Sequence, residues 1–495
     1  MTPSIDSRIT RRGLLGGIGL GAGALSLGSF HPVQAALLPE PEQSETFDVV
    51  VIGSGLAGCS AALEAASSGA RVVVLEKASQ SRMGGNSFLA GGSFSLPLAE
   101  TDAARADYVA DYEAYTLGRG NAAIFALMAQ HIHADVAWLK DNGIEVLPAV
   151  ERPPNRVATA TVAPASFAGM PVLFRRMKAR LEELGARFVF DAKARQLIMS
   201  EDGAVVGVRA IGRRGMVDYR GTSVVIATGG YAGNSQFLES YSDPNAGALM
   251  VRGIPHATGD GLLMAQGAGA GLKGMGGLMA LHIAAVDGVE TAAGQPAAVV
   301  PYAVSINRNG RRFVDESLGY VTHGKAVLEQ PGQSTTLVFD QPIREKAAEG
   351  VISTFTRLGL TVHQADTLEE LAEKVGLPTA ALQETIESFN QSVENGAAPA
   401  ANPPKRTLAT RIETAPFYAF SPLVPGITLT FGGIMIDERA RVLEADGRVI
   451  PGLLAAGEGA GPVFFQDYIG GGSMTNCLVM GRIAGREAVS VTRTA

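Results

Sequence analysis

The sequence predicts an α/β fold, a Rossmann-like dinucleotide-binding domain interrupted by an inserted α+β domain. Three observations carry this. A run rich in β-branched residues, Phe47 to Ile52, leads straight into Gly53-Ser54-Gly55-Leu56-Ala57-Gly58. A second apolar run, Val72-Val73-Val74-Leu75, ends at Glu76. Apolar and glycine-bearing segments recur at Val224–Tyr231 and at Gly452–Glu458, with a stretch of different texture between them.

Short β-branched runs of this kind suit strands buried on both faces of a parallel sheet. Gly53 permits the tight turn, Gly55 lets a backbone approach a pyrophosphate, and Gly58 lets the next helix lie close on the sheet. That helix, about Leu56 to Ser68, presents its first amides, around Leu56 and Ala57, to the phosphates, and Gly69 ends it. Glu76, with Lys77 beside it, stands where a carboxylate takes ribose hydroxyls. A lone Gly-x-Gly-x-x-Gly says little, but strand, turn, helix, strand and acid in this order specify dinucleotide binding.

At 495 residues the chain is long enough for two or three domains, and at 46% hydrophobic and 18% charged it reads as globular. A formal charge of −7 and the lack of a basic cluster beyond the first residues argue against a nucleic-acid partner. The two cysteines, Cys59 and Cys477, include no Cys-x-x-Cys-His, which excludes c-type haem and iron–sulfur centres within this chain. No other metal site is read. Both cysteines sit in apolar surroundings and read as buried free thiols, with a disulfide as the alternative in an oxidising compartment.

Residues 1–35 read as an address. Arg11-Arg12 precede an apolar, glycine-rich run from Gly13 to Phe30, and Val33-Gln34-Ala35 offers small residues for cleavage. The paired arginines resemble a twin-arginine export signal, which places the mature protein in the bacterial periplasm. An uncleaved anchor helix is the alternative. No later stretch reads as long and apolar enough to span a bilayer.

Further glycine-bearing segments complete the pattern: Gly84-Gly85-Asn86-Ser87, Ala90-Gly91-Gly92, Ala227-Thr228-Gly229-Gly230, Thr258-Gly259-Asp260-Gly261 and Gly457-Glu458. In this order they resemble the flavoprotein superfamily of fumarate reductase and succinate dehydrogenase flavoprotein subunits, aspartate oxidase and 3-ketosteroid dehydrogenases. The resemblance covers nearly the whole mature chain. It implies a glutathione-reductase-like FAD domain in two parts, 36–276 and 426–495, around a capping domain at 277–425. The second part contributes Glu458 and the helix after Gly472, with Ser473 at the cofactor. Some members attach FAD through a histidine near the Gly84-Gly85 loop; this chain has none there, so FAD is expected to be non-covalent. Within the cap, Leu382, Ile386 and Phe389 have helical spacing, while Ala397 to Pro404 reads as a solvated loop.

The resemblance also points to catalytic positions. Four residues after Glu316, where fumarate reductases carry a proton-donating arginine, stands Tyr320, and ketosteroid dehydrogenases have a tyrosine base there. In Thr428-Leu429-Thr430-Phe431-Gly432-Gly433, Leu429 replaces a histidine that holds a substrate carboxylate. Tyr468 and Gly472 match a Tyr-x-x-x-Gly in which hydroxyl and amide hold a ketone oxygen, an oxyanion hole. His282 aligns with a substrate-facing histidine, whereas His323 reads as a structural neighbour. Such tyrosines are also common as core or rim residues.

The resulting expectation is a periplasmic FAD-dependent oxidoreductase acting on a C–C bond beside a carbonyl of a ketosteroid-like or smaller ketone or enone. In desaturation Tyr320 would take the α-proton and a hydride would pass to flavin N5. The alternatives are a carboxylate enzyme of the fumarate, urocanate or tricarballylate type using Arg252 or His282, and a non-catalytic flavin electron carrier. Electrons would pass to a separate carrier: a c-type cytochrome, a quinone or oxygen.

Overall fold

The computed structural model describes residues 39–494 apart from 154, 166–167, 214, 287–288 and 291–294. The side chains of 280–286, 289–290, 320 and 492–494 also lie outside the described residues. So does the expected export segment, 1–35.

The strands read from sequence form and are buried throughout. Val49–Ile52 pairs in parallel with Val72–Leu75 on one side and Ser223–Ile226 on the other. The full order across the sheet is Arg441–Leu443, Val449–Ala455, Ser223–Ile226, Val49–Ile52, Val72–Leu75 and Arg187–Val189, with only the first pair antiparallel. Alternate residues enter two cores: Val49, Val51 and Val74 lie in one, Val50, Ile52 and Val73 in the other. Burial on both faces is why these runs contain no polar alternation.

The helix Leu56–Ser67 packs on the C-terminal helix Gly472–Thr494, which joins the two ends of the chain. The contact is backbone to backbone. A Cβ on Gly481 would lie 2.5 Å from Ala57 O, and one on Gly485 would collide with Ala61 O. Each glycine inside a helix costs about 1 kcal/mol against alanine. The burial of Leu478, Val479, Ala484 and Ala488 that this approach permits offsets the cost.

The helix Ala122–Asp141 corrects one expectation, since its length and composition would allow it to cross a membrane. Its buried face, Phe125, Met128, Ile132 and Leu139, belongs to the same core as Leu56–Ser67. His131, His133, Asp135 and Lys140 break the apolar run along its sequence, although Asp135 is itself buried.

Residues 299–423 contain a third core, around Val304, Leu337, Phe339, Phe355 and Phe420. Leu382, Ile386 and Phe389 face it from the helix Thr379–Ser392, as their spacing predicted. The segment from Ala397 to Pro404 is less solvated than expected: Ala398 and Ala401 are buried, and Ala398 pairs with Lys405. Two long antiparallel strands, Leu272–Val286 and Phe417–Ile434, run through positions 277 and 425, pairing Leu278 with Thr430 and His282 with Pro425. Residues Pro41–Ala495 form one contact unit.

A Gly485→Val substitution is expected to separate these helices, with a loss of about 3 kcal/mol in unfolding free energy. Thermal and urea unfolding would measure it. An unchanged midpoint would show that the close approach is not needed.

Candidate active site

The turn from Val49–Ile52 into Leu56–Ser67 shapes one end of a cavity of about 600 Å³. Gly53 has φ +105°, and a Cβ there would collide with Ala227 O. Gly55 is different: a Cβ there would meet nothing nearer than Gly84 O at 3.7 Å and Ser87 Oγ at 4.0 Å, and it lines the cavity. No side chain caps this helix through Gly55, which leaves its first amides directed at the cavity, with Leu56 N–H only 3.4 Å from Ser87 Oγ. Ser54 turns away, its amide and hydroxyl donating to Glu76 Oε2 at 3.0 and 2.6 Å. Glu76 Oε1 accepts from Ala78 N–H at 2.8 Å. Glu76 therefore fixes the turn as well as lining the cavity, and a carboxylate has further lone pairs for hydroxyls.

Beyond Glu76, Lys77 Nζ donates to Asp260 Oδ2 at 2.6 Å and to Thr258 Oγ1 at 2.9 Å. Lys193 Nζ is 3.1 Å from Asp260 Oδ1. Burial pushes the Asp260 carboxyl up, but the hydrogen bonds and charges of the two lysines outweigh it and hold the group below its ordinary range. Lys193 was not singled out in the sequence, because nothing local marks a strand lysine as facing a site 67 residues distant (260 − 193).

At the other end a half-buried carboxylate gathers distant segments. Glu458 Oε1 accepts from Thr430 N–H at 3.0 Å, and Glu458 Oε2 from Asn86 Nδ2 at 3.1 Å. Asn86 also donates to Thr428 O at 3.0 Å and accepts from Ile254 N–H at 2.8 Å. Burial pushes the Glu458 carboxyl up, partly opposed by Thr430, Asn86 and Gly230.

Most residues read as cofactor-binding line this cavity, including Ala90, Gly91, Ala227, Thr228, Gly229 and Ser473. Four glycines do not. Gly58 packs on Gly53 O, Gly84 on the Phe174 ring and Gly230 on Thr430 and Glu458, while Gly92 O accepts from Val162 N–H. Their lack of a side chain shapes the wall from behind. Thr228 Oγ1 is buried on the wall with no hydrogen-bond partner among the described residues. An open glycine turn and a helix N-terminus directed along one cavity fit an extended dinucleotide. Cys59 and Cys477 are buried free thiols, and burial pushes Cys477, which lines the cavity, up to about 12.

Tyr468, Ile469, Leu429 and Met279 form an apolar section of the wall, with Arg252 and Gln295 as its polar members. Phe431 and Phe464 back Tyr468 at ring distances of 6.1 and 5.5 Å. Arg252 follows the short strand Met250–Val251, which pairs with Phe417–Ile434, and its Nη1 lies 3.0 Å from Thr428 Oγ1. Gly472 departs from the oxyanion-hole reading. It is off the wall, its N–H donates to Ile469 O at 2.9 Å, and a Cβ there would collide with Tyr112. Tyr320 opens the helix Tyr320–Leu328, and His282 lies on the strand Leu272–Val286; both side chains are outside the described residues. His323 is buried, 2.8 Å from Ser305 Oγ through Nε2, as a structural neighbour would be.

The family model described as an FAD binding domain matches residues 48–473. The chain belongs to the FAD binding domain family. It is 31% identical over 478 residues to a fumarate reductase (cytochrome) of Shewanella frigidimarina, covering 93% of this chain and 80% of the relative. Among solved structures it resembles the open conformation of a flavocytochrome c3 fumarate reductase, with TM-score 0.77 and 27% identity over 92% of this chain and 79% of the other. It shares its fold with a 3-ketosteroid delta1-dehydrogenase from Sterolibacterium denitrificans, with TM-score 0.76 and 21% identity over 91% and 100% of the two chains. The protein is an FAD-dependent oxidoreductase of a family whose members act on carbon–carbon bonds.

Asp260→Asn is expected to destabilise the protein by about 1 kcal/mol at pH 7. Because the folded-state pKa lies below the ordinary 3.8, the ionised carboxylate contributes fully above that value and loses its contribution as pH falls through the folded pKa. The penalty should therefore be constant from about pH 5 to 8. Unfolding of both proteins across that range checks it; a penalty that changes there would contradict the ion-pair account.

Proposed function

We propose that this enzyme oxidises or reduces a carbon–carbon bond beside the carbonyl of a mostly apolar ketone or enone, ketosteroid-like or smaller. The observation that carries this is a single phenol, Tyr468, set in an apolar wall of Leu429, Met279 and Ile469. A hydroxyl there can donate to a ketone oxygen and stabilise the negative charge that develops when the neighbouring carbon loses its proton. Gly472 supports the turn that carries Tyr468. Tyr320 is assigned the proton, taking it from the α-carbon in desaturation and returning it in reduction. With an ordinary pKa of about 10, it needs a surrounding that favours its phenolate. The chemistry FAD supplies when bound is two-electron hydride exchange. Apolar walls around the reacting carbons exclude water and strengthen the hydrogen bond at the oxygen.

A second reading has one observation in its favour. Arg252 places a guanidinium on the same wall, and arginine is suited to a carboxylate. In that reading the substrate is a fumarate-like or urocanate-like acid, held by Arg252 with His282.

FAD is held without a covalent bond in this proposal, since the Gly84-Gly85 loop has no histidine. The segment 277–425 acts as the cap and the two flanking parts as the FAD domain. The paired arginines support export to the periplasm. There the enzyme would exchange electrons with a separate cytochrome c, a quinone or oxygen.

Anaerobic mixing of the oxidised holoenzyme with ketosteroids, simple cyclic ketones and dicarboxylates, read as bleaching of flavin absorbance, separates the two readings. The reverse test uses reduced enzyme and the unsaturated partners. Ketones should bleach the flavin, and Tyr468→Phe should slow this about 100-fold with FAD retained. Bleaching by dicarboxylates alone would sink the carbonyl reading, as would a Tyr468→Phe enzyme with wild-type turnover.

A further inference from the structure

The helix that begins at Tyr320 and the turn that delivers Tyr468 are joined by one half-buried cation. Lys325, on Tyr320–Leu328, donates from Nζ to Gln466 O and to Gln466 Oε1, the latter at 3.0 Å. Gln466 has φ +63°, a left-handed conformation that costs a non-glycine residue about 1 kcal/mol or more. The next residue, Asp467, accepts the Tyr468 N–H on Oδ1 at 2.8 Å, while its own N–H donates to Phe465 O at 2.7 Å. Phe464 on one side of this turn packs against Tyr468 on the other. The approach to Tyr468 is thus a strained turn whose outward carbonyl is taken up by an ammonium from another element.

We infer that Lys325 is a positioning residue: its ammonium latches the Gln466 turn and so sets where the Tyr468 hydroxyl stands relative to the helix of Tyr320. The inference rests on the carbonyl reading for the role of Tyr468, but the latch itself is a matter of geometry. Lys325 is half-buried, with Asp467 as its nearby acid. Burial pushes the ammonium's pKa down and Asp467 opposes this, while burial pushes the Asp467 carboxyl up and Lys325 opposes that. Two groups that each suffer from burial are kept together by hydrogen bonds to the same turn. Removing the cation leaves the half-buried Gln466 carbonyl without this donor, and the turn loses the contact that offsets its strain. A turn freed in this way lets the phenol sample positions away from the substrate oxygen, and small misplacements of such a donor weaken transition-state stabilisation.

The test uses the FAD-loaded enzyme. Lys325→Met keeps the side-chain bulk and removes the donor. Hydrogen exchange followed by mass spectrometry should show the 463–469 peptide exchanging about tenfold faster, with other core peptides and FAD content unchanged. Turnover should fall about tenfold with KM altered by less than about threefold. Adding Gln466→Gly, which makes the left-handed conformation inexpensive, should recover part of both losses. Lys325→Arg should also retain more turnover than Lys325→Met.

Unchanged exchange at 463–469 would overturn the latch whatever the substrate. Faster exchange with wild-type turnover would overturn the positioning role. Faster exchange everywhere together with FAD loss would reduce Lys325 to a general stabiliser and overturn it as well. If ketones fail to bleach the wild-type flavin, the carbonyl reading fails separately. The turnover comparison is then made with whichever compound does bleach it.

Discussion

The site depends on burying carboxylates that cannot be left without donors. Glu458 is the centre of this constraint. It is half-buried, and a carboxylate partly withdrawn from water needs hydrogen bonds in its place; its donors come from Asn86 and Thr430, residues 372 and 28 positions away. Asn86 in turn binds Thr428 and Ile254. The loop after the first βαβ unit, the segment before Thr258, the long strand and the last strand of the sheet are therefore set relative to one another by one acid. Moving any of them would leave a partly buried charge short of a partner, which typically costs more than the hydrogen bond itself contributes.

Glu76 repeats the arrangement at the opposite end, where it holds Ser54 and Ala78 and so fixes the turn after the first strand. Between the two acids the wall is mostly backbone. Glycines at 55, 85, 91 and 229 leave the wall open for the chain to lie against a ligand, while glycines at 53, 58, 84 and 230 let one part of the protein lie against another. Both kinds look alike in the sequence. Only the neighbour that a Cβ would strike separates them.

The substrate end follows different physics. Phe431, Phe464 and Tyr468 make a ring cluster that continues to Tyr112 and Phe125, so the phenol is seated in the largest core of the protein. Rigid packing behind a donor and an apolar wall around it favour a neutral polar group over a free anion. Arg252 puts a guanidinium beside these residues on the cavity lining, which is why charge on the substrate becomes an experimental question.

Much of the fold was legible because its signals are local. A strand buried on both faces must be apolar and short, and a turn against a pyrophosphate must be glycine. Phe47 to Glu76 therefore declared itself in consecutive residues. Leu382, Ile386 and Phe389 declared a helix by spacing alone. The cofactor was legible differently, through the family resemblance carried by several short segments in one order. The site was only partly so. Gly472 matched a motif, yet its amide closes a turn on Ile469 O, because the helix start needs that bond.

Lys193, Thr430 and Lys325 had no signal of their own, since each works through a partner far along the chain. By itself the sequence determined the dinucleotide turn and the parallel strands, consequences of backbone geometry within a few residues, while FAD followed from the resemblance carried by the order of distant motifs. The tertiary structure alone decided which glycines face the ligand, which acids hold the walls and which cation holds the turn of Tyr468. Those outcomes depend on buried charges finding donors across the fold, and the order of residues along the chain does not encode distance in space.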